Sequence, residues 1–191
     1  VARAGGMRLG DGLDESVQIG PVVSKNQLET ISGYVKVGQQ EGARLAAGGG
    51  VATEGALGKG FFHEPTIFDE VGREMRIANE EIFGPVTSIV PVDSLDEAID
   101  IANSVEYGLS ASIFTQDINN AYRAMRDIFT GILYVNAGTT GAEIHLPFGG
   151  TKATGNGHRE AGTAALDFYT EWQSDYVAFS SKLQGAQIFN Q

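Results

Sequence analysis

Thr87-Ser-Ile-Val-Pro-Val92, Ser110-Ala-Ser-Ile-Phe114 and Ile132-Leu-Tyr-Val135 are three short apolar runs, and the two segments between them repeat at helical spacing. Leu95, Ala98, Ile99 and Ala102 give the first segment one apolar face. Ser94 and Glu97 stand at capping-box spacing before it, and Gly108 is the expected C-cap. In the second segment Asp117 is the expected cap. Ile118, Ala121, Tyr122, Met125 and Phe129 are expected to face inward, and Gly131 to stop the helix. Strand, helix, strand, helix, strand with short connections predicts an α/β fold with a parallel sheet and right-handed crossovers. Ligands of such sheets gather beyond the carboxyl ends of the strands. Asn136 and the glycine-rich segment after it sit at such an end.

That segment runs from Gly138-Thr-Thr-Gly-Ala-Glu143 through Pro147-Phe-Gly-Gly-Thr-Lys152 to Gly157. So long a loop in a compact domain points to function. Upstream, Ser24 and Gln27 repeat the capping-box spacing, and Leu28, Ile31 and Val35 continue as a helix. Gly48-Gly49-Gly50 ends that region, and Gly55 to Gly60 reads as a loop. Phe61-Phe62 and Thr66-Ile67-Phe68 flank Pro65 and predict short extended pieces at a sheet edge, because proline cannot donate to a ladder. Downstream, a helix is expected over Arg159 to Tyr169. A strand is expected over Asp175 to Phe179, followed by a polar tail.

A length of 191 residues suits one domain, or one domain with an arm. Apolar residues at 42% and charged residues at 19% mark a globular chain. The sequence contains no cysteine, which excludes a disulfide scaffold, a thiolate metal site, an iron–sulfur cluster and a thiol nucleophile within it. A formal charge of −11 disfavours nucleic acid and anionic membranes as partners. No apolar run approaches the length of a membrane span. His63, His145 and His158 lack ligand spacing and are expected at the surface or anchoring loops, so no metal site is expected. The Gly155-x-Gly157 pair fails as a dinucleotide fingerprint, because it lacks the third glycine and does not follow a strand.

Two stretches are more specific: Asn79-Glu-Glu-Ile-Phe-Gly-Pro-Val86, and Pro147-Phe-Gly-Gly-Thr-Lys152 continuing through Gly155-Asn-Gly-His-Arg-Glu-Ala-Gly162. In this order and separation they resemble the aldehyde dehydrogenase superfamily. Gln18-Ile-Gly-Pro-Val-Val23, Tyr107-Gly-Leu-Ser-Ala-Ser112 and Leu133-Tyr-Val-Asn136 extend the resemblance over nearly the whole chain. Thr140-Gly-Ala-Glu-Ile144 and Leu183-Gln-Gly-Ala-Gln-Ile-Phe189 look most like the α-aminoadipic and α-ketoglutarate semialdehyde dehydrogenase branch.

The resemblance implies a three-layer open parallel sheet with helices on both faces. Residues 1–169 would form part of a catalytic domain, and residues 170–191 an oligomerisation arm and tail. It implies NAD or NADP as cofactor, with Glu81 accepting hydrogen bonds from the nicotinamide ribose and Phe83 packing beside it. A carboxylate is acceptor-only and suits a pair of hydroxyl donors. Gly141 and Ala142 match a loop that holds the distal end of the substrate, where small residues expose backbone N–H groups to a carboxylate. Glu143 is within reach of a distal amino group. Phe148 matches a residue lining the substrate tunnel. Lys152, Arg159 and Glu160 read as supports between loop and helix. The glutamate and phenylalanine signatures are expected to meet at one cleft.

In the family a cysteine thiolate attacks the aldehyde before hydride leaves for the nicotinamide. With no cysteine, this chain is expected to carry no catalytic residue of its own. It is read as the C-terminal portion of a longer enzyme, inactive alone and binding NAD(P) weakly or not at all. The alternative is a non-catalytic module that pairs with a full-length or complementary subunit. An aldehyde is the expected substrate of the complete enzyme, a homo-oligomer its expected assembly, and the cytoplasm its expected place.

Overall fold

The computed structural model describes residues 1–177 and residue 179. Ala2–Gly5 makes one helical turn, α1. Lys25–Gln40 forms α2, and the Ser24 hydroxyl accepts the Gln27 N–H at 3.2 Å, as the spacing predicts. Arg44–Ala47 (β1), Thr66–Asp69 (β4) and Val86–Ser88 (β5) build a three-stranded sheet in the order β1-β4-β5. The first pair is antiparallel and the second parallel. Val51–Ala52 (β2) and Phe62–His63 (β3) form a small antiparallel pair. The expected loop over Gly55–Lys59 is a 3-10 turn.

α2 lies against this sheet. Ile31, Val35, Phe68, Val71, Ile77 and Ile82 bury together as one core, with Ile77 contributed by α3, Arg76–Asn79. Apolar burial of this kind supplies the main favourable term in folding. The piece after Pro65 is therefore the central strand of its sheet and not an edge. The proline immediately precedes the first strand residue, where its missing donor breaks no ladder bond. Gly48, at φ +66, is required where the chain turns. A Cβ there would lie 2.2 Å from the Pro65 carbonyl oxygen.

The second half carries Leu95–Ser104 (α4), Tyr107–Gly108 (β6), Ser110–Ile113 (β7), Ile118–Asp127 (α5), Ile132–Val135 (β8), Thr151–Lys152 (β9) and Ala164–Tyr169 (α6). The α/β character and the parallel pairing of β7 with β8 follow the sequence pattern. The parallel strands fall into two separate ladders, β4–β5 and β7–β8. Ser94 accepts the Glu97 N–H at 3.1 Å, while the Glu97 carboxylate turns to the N–H of Asp93.

Several expectations are corrected. α4 ends at Ser104, so Gly108 does not cap it but pairs with Thr151 inside β6. α5 turns Ala121 and Ala124 inward, because only small side chains let the helix approach closely. Tyr122 (64%), Met125 (55%), Phe129 (61%) and Ile118 remain mostly exposed. The final helix is confined to Ala164–Tyr169. Of the two placements expected for His63, at the surface or anchoring a loop, the structure shows the second: the ring is buried and its Nδ1 lies 2.9 Å from the Glu64 carbonyl oxygen between β3 and β4. Residues 170–177 and 179 adopt no regular structure, since a lone strand has no ladder to join. The remainder of the expected strand and tail, Ala178 and 180–191, lies outside the described residues. No helix among the described residues is long and apolar enough to cross a membrane.

Candidate functional site

The carboxyl end of β8 opens into a cleft of about 660 Å³. Its wall combines β8 itself, through Ile132, Leu133 and Tyr134, with the loop that carries Gly141, Ala142 and Phe148. The three residues read from sequence as substrate contacts thus line one cavity. Glu143 is the one acidic side chain in that lining.

The loop is held at its base by polar side chains. Asn136, at φ +56, accepts the Thr115 N–H at 2.8 Å and donates to the Thr115 carbonyl at 2.9 Å. The Ser112 hydroxyl donates to the Ala137 carbonyl. Further on, Phe148 and Glu160 exchange backbone hydrogen bonds, the Glu160 N–H reaching the Phe148 carbonyl at 2.7 Å. Lys152 donates from Nζ to the carbonyls of Asn103 and Val105, both at 2.9 Å, which satisfies the free end of α4. The reading of Lys152 as a support therefore agrees with its contacts.

Glu81 and Phe83 stand on a separate turn between α3 and β5. Glu81 is exposed, and its carboxylate has no hydrogen-bond or ion-pair partner among the described residues. Phe83 is 74% exposed and held at φ +53, a conformation costing roughly 1 kcal/mol or more for a residue with a Cβ. Gln27 offsets this strain. Its Nε2 donates to the carbonyls of Ile82 and Phe83, both at 3.0 Å. The turn rests directly on α2, since a Cβ at Gly84 would lie 2.5 Å from Ile31.

The neighbouring Glu80 anchors the same turn. Arg76 donates to both its oxygens at 2.8 Å, and the Tyr34 hydroxyl donates to Oε2 at 2.8 Å. The Arg76 and Tyr34 hydrogen bonds hold the Glu80 carboxyl down to about 2. The same contact pushes the Tyr34 phenol up. Folding favours ionised Glu80, so its contribution to stability is complete above about pH 4.5 and disappears as pH falls toward 2. The group faces solvent, which keeps the contribution small. Melting curves of the protein and of Glu80→Gln should differ above pH 4.5 and converge toward pH 2; a constant difference would contradict this pairing.

The glutamate and phenylalanine signatures do not meet in a single cavity. Glu81 and Phe83 share a depression of about 390 Å³. Glu81 also borders one of about 420 Å³ with Leu109 and Thr154. Leu109 and Thr154 in turn border a third with Phe148. The two signatures are thus linked through common walls. Gln27, Tyr34 and Tyr134 also build the site, although the sequence alone gives none of them such a role; Gln27 is legible there only as a capping residue. Asn136 stands at the strand end where the sequence pattern places a ligand site. Among the described residues there is no group of three or more histidine, aspartate or glutamate side chains placed to hold a metal ion.

Comparison with known proteins matches residues 1–174 to the aldehyde dehydrogenase family model. The chain is 46% identical over 169 residues to an alpha-ketoglutaric semialdehyde dehydrogenase of Bacillus subtilis, covering 88% of this chain and 35% of that protein. It is 45% identical over 177 residues to a betaine aldehyde dehydrogenase of Mesorhizobium japonicum, covering 93% of this chain and 36% of the relative. A solved structure described as the NAD+ complex of an aldehyde dehydrogenase from Bacillus cereus superposes with a TM-score of 0.86 at 39% identity, covering 94% of this chain and 35% of that one. The chain thus spans little more than a third of the length of these relatives.

Proposed function

The chain belongs to the aldehyde dehydrogenase family, and from that premise we propose that it is the catalytic-domain portion of an NAD(P)-dependent semialdehyde dehydrogenase, which oxidises an aldehyde to a carboxylic acid. The observation that carries the reading is the cleft at the end of β8, where Gly141, Ala142 and Phe148 converge on one apolar cavity. Phe148 supplies an apolar wall, and the N–H groups of Gly141 and Ala142 are donors for a distal carboxylate. The free carboxylate of Glu81 suits the two ribose hydroxyls of a nicotinamide nucleotide, and the exposed ring of Phe83 suits the sugar's apolar face. When bound, the nicotinamide accepts a hydride. This chain's residues would orient the ribose and exclude water from the substrate. The thiol nucleophile must come from polypeptide outside this sequence, which has no cysteine.

Residues 1–169 are assigned to the catalytic domain and 170–191 to an oligomerisation arm. Support comes from Trp172, Tyr176 and Phe179, aromatic side chains at least 90% exposed in the described part of that arm. Large exposed apolar groups of this kind favour association, here between copies of the complete enzyme.

A chimera tests the reading. The chain replaces the matching third of the Bacillus subtilis relative. The chimera is expected to produce NADH from alpha-ketoglutaric semialdehyde, whereas the 191-residue chain alone produces none. Glu81→Gln in the chimera should raise KM for the nucleotide about tenfold or more, the usual loss for hydrogen bonds to a charged group. An inactive but folded chimera, or an unchanged KM, would refute the assignment.

A further inference from the structure

Resting on the reading of Gly141 and Ala142 given above, we propose that Tyr134 is a positioning residue, which orients the Gly141–Ala142 peptide toward the distal carboxylate of the substrate. Tyr134 lies in β8 and lines the cleft. Its hydroxyl donates to the Gly141 carbonyl at 2.7 Å. Among the described residues this is the one hydrogen bond that reaches any part of segment 138–142. Asn136 and Ser112 fix the base of the loop, and Tyr134 alone fixes its tip.

The direction of that bond matters. A trans peptide is planar, with its carbonyl and its N–H pointing to opposite sides. Pinning the Gly141 carbonyl to Tyr134 therefore also sets the direction of the Ala142 N–H, away from the tyrosine oxygen. Gly141 sits at φ +84, which glycine adopts without steric penalty, so the side-chain contact decides which orientation of the peptide persists. The N–H groups of Gly141 and Ala142 donate to no acceptor among the described residues. They are left free for a ligand, and backbone donors without a partner of their own suit an anion. The hydroxyl of Tyr134 is already committed to the loop, so the tyrosine acts through Gly141 and not by touching the substrate's carboxylate.

The test compares the 191-residue chain with Tyr134→Phe, which keeps the ring and removes the hydroxyl. Three quantities are read by NMR: backbone order parameters of Gly141 and Ala142, amide exchange protection in β8, and the affinity of glutarate followed at the Gly141 and Ala142 amides. In the variant the order parameters should fall from near 0.85 to about 0.6 or lower. Glutarate affinity should fall about fivefold, the usual effect of one lost hydrogen bond. β8 protection should stay unchanged. Unchanged order parameters would overturn the proposal. So would an equal loss of protection throughout β8, which marks general destabilisation. If the tip loosens in the variant while the parent chain binds choline in place of glutarate, or neither, the role of Tyr134 stands and the carboxylate reading of the cleft fails.

Discussion

Gly131→Ala is expected to destabilise the protein by about 3 kcal/mol or more, the upper range for inserting atoms into packed structure. A Cβ at Gly131 would lie 1.7 Å from the Gly149 carbonyl oxygen and 2.8 Å from the Gly150 Cα. Both obstacles are backbone, so no side-chain rotation relieves the clash. The Gly131 N–H donates to Gly108 at 3.0 Å, and Gly108 pairs with Thr151, just beyond Gly150. Movement at any one of these points strains the others. Phe148 precedes the displaced glycines, so the cleft wall should shift as well. Urea unfolding measures the loss through the midpoint and slope. A variant within 0.5 kcal/mol or so of the parent, the range of neutral surface changes, would show that the loop yields freely.

Phe68→Ala is expected to cost about 3–5 kcal/mol, the range for removing a buried aromatic ring. Phe68 is fully buried in the central strand β4, beneath α2. A Cβ at Gly38 would lie 3.1 Å from its ring and 2.9 Å from Ile77, so helix and sheet are already in close contact there. The two positions should therefore couple. Gly38→Ala overpacks the parent core but fills part of the space left by Phe68→Ala. The double variant should then be more stable than the sum of the single losses allows. Strict additivity in a denaturation cycle would mean that the helix and sheet part easily at this point.

The elements legible in the sequence were those with a local signal. Ser24 and Ser94 each accept a first-turn N–H, as their capping-box spacing predicts, and Asp117 accepts one as its residue type predicts. β7 and β8 were visible as apolar runs, whereas of the strand expected over residues 87–92 only Thr87 and Ser88 fall in β5, which stops before Pro91, a residue with no N–H to donate to a ladder. β1, Arg44-Leu-Ala-Ala47, has no β-branched residue and was not foreseen. β9 is two residues long and hidden in glycine-rich chain. The face α5 presents could not be read either. Its periodicity is real, but burial depends on what lies opposite, and here the alanines meet the protein while the larger side chains do not.

The site divides in the same way. Gly141, Ala142 and Phe148 are close in sequence and share a cleft, so a motif could find them together. Gln27 grips a turn from 55 and 56 residues away, and Tyr34 reaches Glu80 across 46. No local pattern encodes bonds of that span. They depend on α2 packing over the sheet.

The ties at Phe148–Glu160 and at Lys152 change what the glycine-rich stretch is mechanically. By composition it is slack chain, with the ordering entropy of one wide excursion. Cross-tied, it becomes two short hoops, each with its own small closure cost. A guest seated against the hoop bearing Gly141, whose tip Tyr134 holds, then leaves the hoop bearing Gly155 and Gly157 undisturbed. One stretch of chain thus has two mechanically separate halves, divided by a single pair of backbone bonds and one ammonium group.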